Sequence, residues 1–305
     1  HHCSGAALYR QVPAMATSVI NQGQFPAQAC YGGSLMHAPG PVPIPAEHLL
    51  LAYRSGVFPM ADGRDDPEIF WVEPRQRAII PLETFRPSRS LRKLVRQDRY
   101  RVTINADFDG AIAACAAPRA DHPESWISQR IIASYRLLHA LGHAHSIECW
   151  DGDELAGVLY GVSFDRVFCG ESMFSRKDNA SKVALAWLVA LMRHAGYVLL
   201  DCQFMTDHLQ SLGAVELPQA EYLHLLGEAR GEPELTLPQA YGRYASGVSA
   251  GAAAGAVTEG TTSGAAVGGA TGSGGVAGEV VADRAADGAD PSPGKLIAQS
   301  FTQTS

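Results

Sequence analysis

The chain has 305 residues, 46% of them hydrophobic, and a formal net charge of −7. That length allows about two domains of roughly 150 residues each, with a sizeable core. It holds no run of roughly 18 apolar residues, so no membrane-spanning helix is expected. No basic stretch followed by an apolar run opens it as a secretory leader would. Six cysteines without a CxxC pair fit a reducing cytoplasm.

Residues 1–44 are rich in Ala, Gly, Gln and Pro without a clear period, and they read as a poorly ordered extension. Ala46–Ser55 reads as a helix stopped by Gly56 and Pro59. Phe70–Val72 and Ala78–Pro81 read as short strands. Arg86–Arg99 reads as a basic helix with Leu91, Leu94 and Val95 inward. Tyr100–Ile104 alternates as a strand, and Phe108–Ala117 is a helix candidate. Between Arg75 and Arg101 stand nine basic residues against Glu83 and Asp98, so this segment alone carries +7. A block of that kind suits a phosphate backbone, or else a solvated helix face.

The second half is more regular. Ser128 caps a helix to Leu141 with Ile131, Tyr135 and Leu138 on one face. Ser146–Trp150, Leu155–Phe164 and Arg166–Phe174 read as antiparallel strands joined by tight turns. Asn179 caps a helix to His194, Tyr197–Phe204 is a strand, and Thr206 opens a short helix. A helix between strands permits a parallel pair, so the fold expected is α+β: a mixed sheet with packed helices. That order is similar to the core of an acetyltransferase-like (GNAT-like) fold. Residues 45–117 form a small N-terminal α/β domain in this reading, and 118–240 the acetyltransferase-like domain. Residues 241–305 form a Gly/Ala-rich disordered tail, since 245–305 hold 13 of the 31 glycines and the single aromatic Phe301.

A few residues stand out chemically. Asp201 and Gln203 alternate along one strand, so they project from the same face while Cys202 turns inward. They are either a ligand site at a strand end or the start of a solvated loop. Glu171 lies in an apolar strand, where a carboxylate needs a partner. Lys182 or Arg176 would make an ion pair, and a bound amine or guanidinium would make a site. Cys169, Glu171 and Met173 share one face in this reading. Trp126 and Trp71 either stack on a base or belong to the core. His139 and His143 are four apart, but the Glu of HExxH is missing, so no metal is expected. The 174–180 junction lacks the glycines that cradle a coenzyme A pyrophosphate.

Several segments occur together in one family: Tyr53–Pro59 (YRSGVFP), Ser88–Lys93 (SRSLRK), Trp126–Ser128, and Leu141–Glu148 (LGHAHSIE). The same holds for Phe168–Ser175 (FCGESMFS), Asn179–Lys182, and Asp201–Gln203 with Asp207–His208 and Ser211–Ala214. Over about residues 46–226 the sequence resembles the bacterial leucyl/phenylalanyl-tRNA–protein transferases. The resemblance implies transfer of Leu or Phe, and less efficiently Met, from aminoacyl-tRNA to the α-amine of proteins starting with Arg or Lys. This marks them for degradation by the N-end rule. It implies a cytoplasmic monomer with no cofactor or metal and no membrane attachment. It places an Asp–Gln relay on Asp201 and Gln203, with Asp201 orienting Gln203. Glu171 is implied to hold a cationic group. Leu159, Met173 and Leu188 fall at the aminoacyl side-chain pocket. Trp126 falls against the terminal adenosine, as does Met60, which stands where many members have Trp. Arg89, Arg92, Lys93 and Arg96 fall on the acceptor-stem phosphates. Thr206 replaces a family Asn. A small-molecule acetyltransferase and a non-catalytic RNA-binding module are the competing readings.

Overall fold

The computed structural model describes residues 17–20, 41–118, 125–246 and 291–302. Most of the 1–44 extension and the stretch 247–290 of the expected tail therefore lie outside the described residues.

Strand β1 (Thr17–Ile20) pairs antiparallel with β3 (Phe70–Pro74), which also pairs with β2 (Phe58–Met60), making a three-stranded sheet. Helix α1 (Ala46–Arg54) precedes β2 and buries Leu49, Leu50 and Tyr53. The main sheet has seven strands. It comprises β4 (Gln76–Ile80), β5 (Arg101–Ile104), β6 (Ala144–Asp151), β7 (Glu154–Phe164), β8 (Val167–Ser175), β9 (Leu199–Gln203) and β10 (Val215–Pro218), in the order β10-β4-β9-β8-β7-β6-β5. Every pairing is antiparallel except β8 with β9, so the sheet is mixed, as the α+β reading expected. The division expected at residues 117/118 does not follow this sheet, because β4 and β5 enter it from the N-terminal side.

The parallel pair exists because α5 (Ala180–Ala195) crosses between β8 and β9. Its residues are almost all buried, as an all-round apolar helix requires. Asn179 stands at its N-cap but makes no side-chain cap, because it adopts a left-handed backbone with φ 61°. Ser175 Oγ instead accepts from the Ser181 N–H at 3.3 Å. Ser128 and Thr206 do cap, accepting from Ile131 of α4 (Gln129–Ala140) and Leu209 of α6 (Asp207–Ser211).

The sheet separates two apolar layers. One holds α5, α2 (Arg89–Arg96) and α8 (Leu237–Ala245), with Leu159, Leu188, Leu91 and Val95. The other holds α1, α3 (Phe108–Ala116), α4 and α7 (Gln219–Glu228), with Tyr53, Tyr135, Cys169 and Tyr222.

The tail expectation is corrected at its far end. Pro293–Ser300 forms helix α9, and Leu296, Ile297 and Phe301 are buried in the α5 layer. Composition averaged over 245–305 hides this short amphipathic segment. The N-terminal extension is likewise corrected at β1, whose partner strand β3 supplies its ladder.

Candidate active site

The β8–β9 ladder runs Val167↔Leu199, Phe168↔Leu200 and Cys169↔Asp201 and then ends. Beyond it β8 stays with β7 while β9 finishes at Gln203, so the two parallel strands part. Asp201, Gln203 and Glu171 meet at this parting.

Asp201 is fully buried. Its Oδ1 accepts from Arg77 Nε at 2.8 Å and from the Gln203 backbone N–H at 2.9 Å. Its Oδ2 accepts from Arg77 Nη2 at 2.6 Å, the Tyr222 hydroxyl at 3.1 Å and the Cys169 thiol at 3.2 Å. Arg77 Nη1 donates to Gly56 O at 2.9 Å. The guanidinium lies 4.8 Å from the Phe58 ring centre and 4.5 Å from that of Tyr222, within cation–π range. Burial works against its charge, but the Asp201 carboxylate outweighs this and the Arg77 pKa is raised. Asp201 therefore touches Gln203 through its backbone N–H.

Gln203 ends β9 at φ 59°, a left-handed backbone that is uncommon for a residue other than Gly. Its Nε2 donates to Glu171 Oε1 at 3.3 Å. Facing a carboxylate fixes the amide flip, so the Gln203 Oε1 is left as the acceptor.

Glu171 has neither Lys182 nor Arg176 as partner. Tyr53 donates to its Oε1 at 2.7 Å and Tyr135 to its Oε2 at 2.9 Å, and the two hydroxyls lie 2.7 Å apart. Burial pushes Glu171 up to about 7, against the two hydroxyls, which favour the ionised form. Burial and the nearby Glu171 raise both tyrosines well above their usual value, so they are neutral donors. Two hydroxyl protons serve three short O···O contacts when Glu171 is ionised. A third proton completes the set.

Glu171 sits in a β-bulge: Tyr160 pairs with Ser172 and Gly161 with Gly170, leaving Glu171 unopposed. The extra residue flips the alternation after it. Cys169 and Glu171 face the α4 layer while Met173 packs in the α5 layer, correcting the expectation that all three share a face. Gly161 permits the bulge, since a Cβ there would sit 2.1 Å from Cys169 O. Met173 then stands opposite Leu159, and both share the α5 layer with Leu188.

Met60 is buried in β2 opposite Phe70, and half-buried Trp126 packs in the same layer ahead of α4. Trp71 is core. The basic segment is divided. Arg77 is spent on Asp201, and Arg99 pairs with Asp151. Arg89, Lys93 and Arg96 are exposed on α2 and Arg92 half-exposed, and none of the four makes an ion pair among the described residues. Among the described residues no cluster of His, Cys, Asp or Glu is arranged to hold a metal.

Sequence reasoning misses Arg77, Tyr53, Tyr135 and Tyr222. Arg77 has one signal, a cation beginning an otherwise apolar run, Ala78-Ile79-Ile80. The tyrosines look like ordinary helix-face residues.

A mixed sheet with a parting parallel pair, lined by a carboxylate and an amide, gains its class from known relatives: the protein is an aminoacyltransferase. The family model described as leucyl/phenylalanyl-tRNA protein transferase matches residues 79–227, and that of its N-terminal domain matches 43–75. A leucyl/phenylalanyl-tRNA–protein transferase of Novosphingobium aromaticivorans is 64% identical over 190 residues, covering 62% of this chain and 72% of its own. Those of Rhizorhabdus wittichii and Cereibacter sphaeroides are 56% and 53% identical, covering 60% and 62% of this chain and 74% and 87% of theirs. The chain belongs to the leucyl/phenylalanyl-tRNA protein transferase family. One solved structure, of L-PGS from Bacillus licheniformis, is similar at 12% identity and a TM-score of 0.26 over 54% of this chain and 55% of that one, too distant to inform the fold.

Proposed function

We propose that the enzyme moves Leu or Phe, and less efficiently Met, from tRNA to the α-amine of proteins starting with Arg or Lys. It acts as a monomer in the cytoplasm, and its product enters N-end rule degradation. One observation carries the mechanism: the Gln203 amide and the Glu171 carboxylate meet where β8 and β9 part, with Gln203 Oε1 left to accept. The incoming amine donates to Gln203 Oε1, which aligns its lone pair on the ester carbonyl; positioning of this kind supplies much of the rate. The amine nitrogen bonds to the carbonyl carbon, the ester C–O bond breaks, and the tRNA 3′-terminal ribose oxygen leaves as a hydroxyl, taking up in turn the proton that the amine gives up. The amine must lose one proton. Ionised Glu171 with Tyr53 and Tyr135 has a place for one, and its position near neutrality suits that task. Glu171 also offers its charge to the arriving ammonium. Leu159, Met173 and Leu188 hold the aminoacyl side chain, and Met repacks around Leu, Phe or Met. Trp126 and Met60 lie toward the terminal adenosine, and Arg89, Arg92, Lys93 and Arg96 meet acceptor-stem phosphates.

Single-turnover transfer of labelled Phe from Phe-tRNA to Arg-starting and Gly-starting peptides tests this. Fast transfer to the Arg-starting peptide is expected. Equal rates for both peptides would remove the Arg/Lys preference, and no transfer to either would remove the reading.

A further inference from the structure

We infer that Arg77 is a positioning residue for the transfer step, acting through Asp201 to hold the backbone of Gln203. This rests on the reading of Gln203 as the group that meets the amine. Arg77 falls between the two stretches matched by the family models, 43–75 and 79–227.

The case begins with the Asp201 carboxylate. It receives five donors: two from Arg77, and one each from the Gln203 N–H, Tyr222 and Cys169. A carboxylate offers about four lone-pair sites, so Asp201 has none left for substrate or for the Gln203 amide. It is an anchor, and its only hold on the reacting end is the backbone N–H of Gln203. That backbone is left-handed at φ 59° in a residue with a full side chain, a conformation that persists only where its surroundings impose it. The Asp201 Oδ1 imposes it, and Arg77 fixes Oδ1.

Arg77 is itself held on every side. Two nitrogens take Asp201 in a fork, the third donates to Gly56 O, and the Phe58 and Tyr222 rings lie near the guanidinium. Gly56 sits in the turn before β2, two residues ahead of Phe58 and four ahead of Met60. One planar cation thus ties the β2 entry, on the side of the expected adenosine contact, to the end of β9. Lys has no fork and cannot reproduce both bonds at once.

The test is single-turnover transfer with enzyme saturating over Phe-tRNA, so that the rate constant reports the step, while circular dichroism reports the folded fraction. Arg77→Lys is expected to slow the rate constant by about tenfold to a hundredfold. Phe-tRNA affinity should change by less than about threefold. In an Asp201→Asn background the same substitution should add less than about threefold, because both act through one anchor. Tyr222→Phe keeps its ring over Arg77 and removes one donor to Asp201, and it is expected to slow the step by about threefold. A rate constant for Arg77→Lys within about twofold of wild type, with only the folded fraction reduced, would make Arg77 merely structural. If Arg77→Lys does not fold, wild-type rates in both Tyr222→Phe and Cys169→Ala overturn the inference, and slowed rates support it. A wild-type enzyme that transfers nothing overturns the functional reading instead.

Discussion

The Asp98 carboxylate receives the backbone N–H of Gly294 at 2.9 Å, and so holds the first turn of α9 onto the end of the basic helix. One of the two acids in the most basic stretch of the chain serves as an anchor for the C-terminus. A negative side chain at a helix start is favoured by the exposed N–H groups and the dipole. Gly294 is required for this approach, because a Cβ would lie 2.2 Å from both Asp98 Oδ1 and Val95 O.

Removing residues 291–305 is therefore expected to lower Tm by roughly 5 °C or more, since it uncovers the sites of Leu296, Ile297 and Phe301. Gly294→Ala should reproduce part of that loss in the full chain. Thermal unfolding followed by circular dichroism measures both. A truncated protein with an unchanged Tm would mean that α9 contributes no net stability.

Glu171 gives a pH prediction. If the ionised form takes the amine proton, the single-turnover rate should rise with pH through about 7 and level off above it. Glu171→Gln should lose that limb and be slow throughout. The stability sign is separate. A carboxyl raised in the folded state binds its proton more tightly there than in the unfolded chain. Its contribution is complete below the usual carboxylate range and is lost as pH rises toward about 7. The stability of wild type relative to Glu171→Gln should fall across that window, and parallel Tm-versus-pH curves would count against the assignment.

Asp201→Asn and Gln203→Ala should differ. The first strips the charge partner of a buried guanidinium, a change that costs about 3–5 kcal/mol when one half of a buried pair is removed. Both should slow transfer, but only Asp201→Asn should lower Tm strongly. Equal Tm losses would put Gln203 in the structural anchor rather than at the reacting end.

Neutralising Arg92 and Lys93 tests the basic helix. Every phosphate that a missing cation leaves unneutralised should reduce the slope of log K against log salt by roughly 0.7–0.9, with little change in Tm. An unaltered slope in a tRNA-binding titration would send the acceptor stem to another surface.

Much of the sheet is legible in the sequence because β6, β7 and β8 follow one another through short turns, and such strands announce themselves by local pattern. The caps at Ser128 and Thr206 are equally local. What escapes is non-local. β4 lies between β9 and β10, strands more than a hundred residues further along the chain, so nothing near Gln76–Ile80 reveals its neighbours. Arg77 looks like one cation of a basic block until the fold brings Asp201 against it. The bulge at Glu171 changes which neighbours share a face, and a one-residue shift of this kind leaves the period of the flanking residues intact. Helix α9 is hidden because its few apolar residues are averaged with a long Gly/Ala stretch.

That bulge also bears on how this enzyme could be re-tooled. Because the alternation flips at Glu171, a single strand shows its carboxylate to one layer and Met173 to the other. Under the proposed function, choice of cargo and handling of the proton fall on opposite sides of one ribbon of backbone. Substituting Met173 or its cross-strand neighbour Leu159 would resize the cargo side, while Tyr53, Tyr135 and Glu171 keep their mutual hydrogen bonds on the reverse. A laboratory lineage selected for bulkier or non-natural aminoacyl groups should accumulate its changes on the α5 side and leave the tyrosine side untouched.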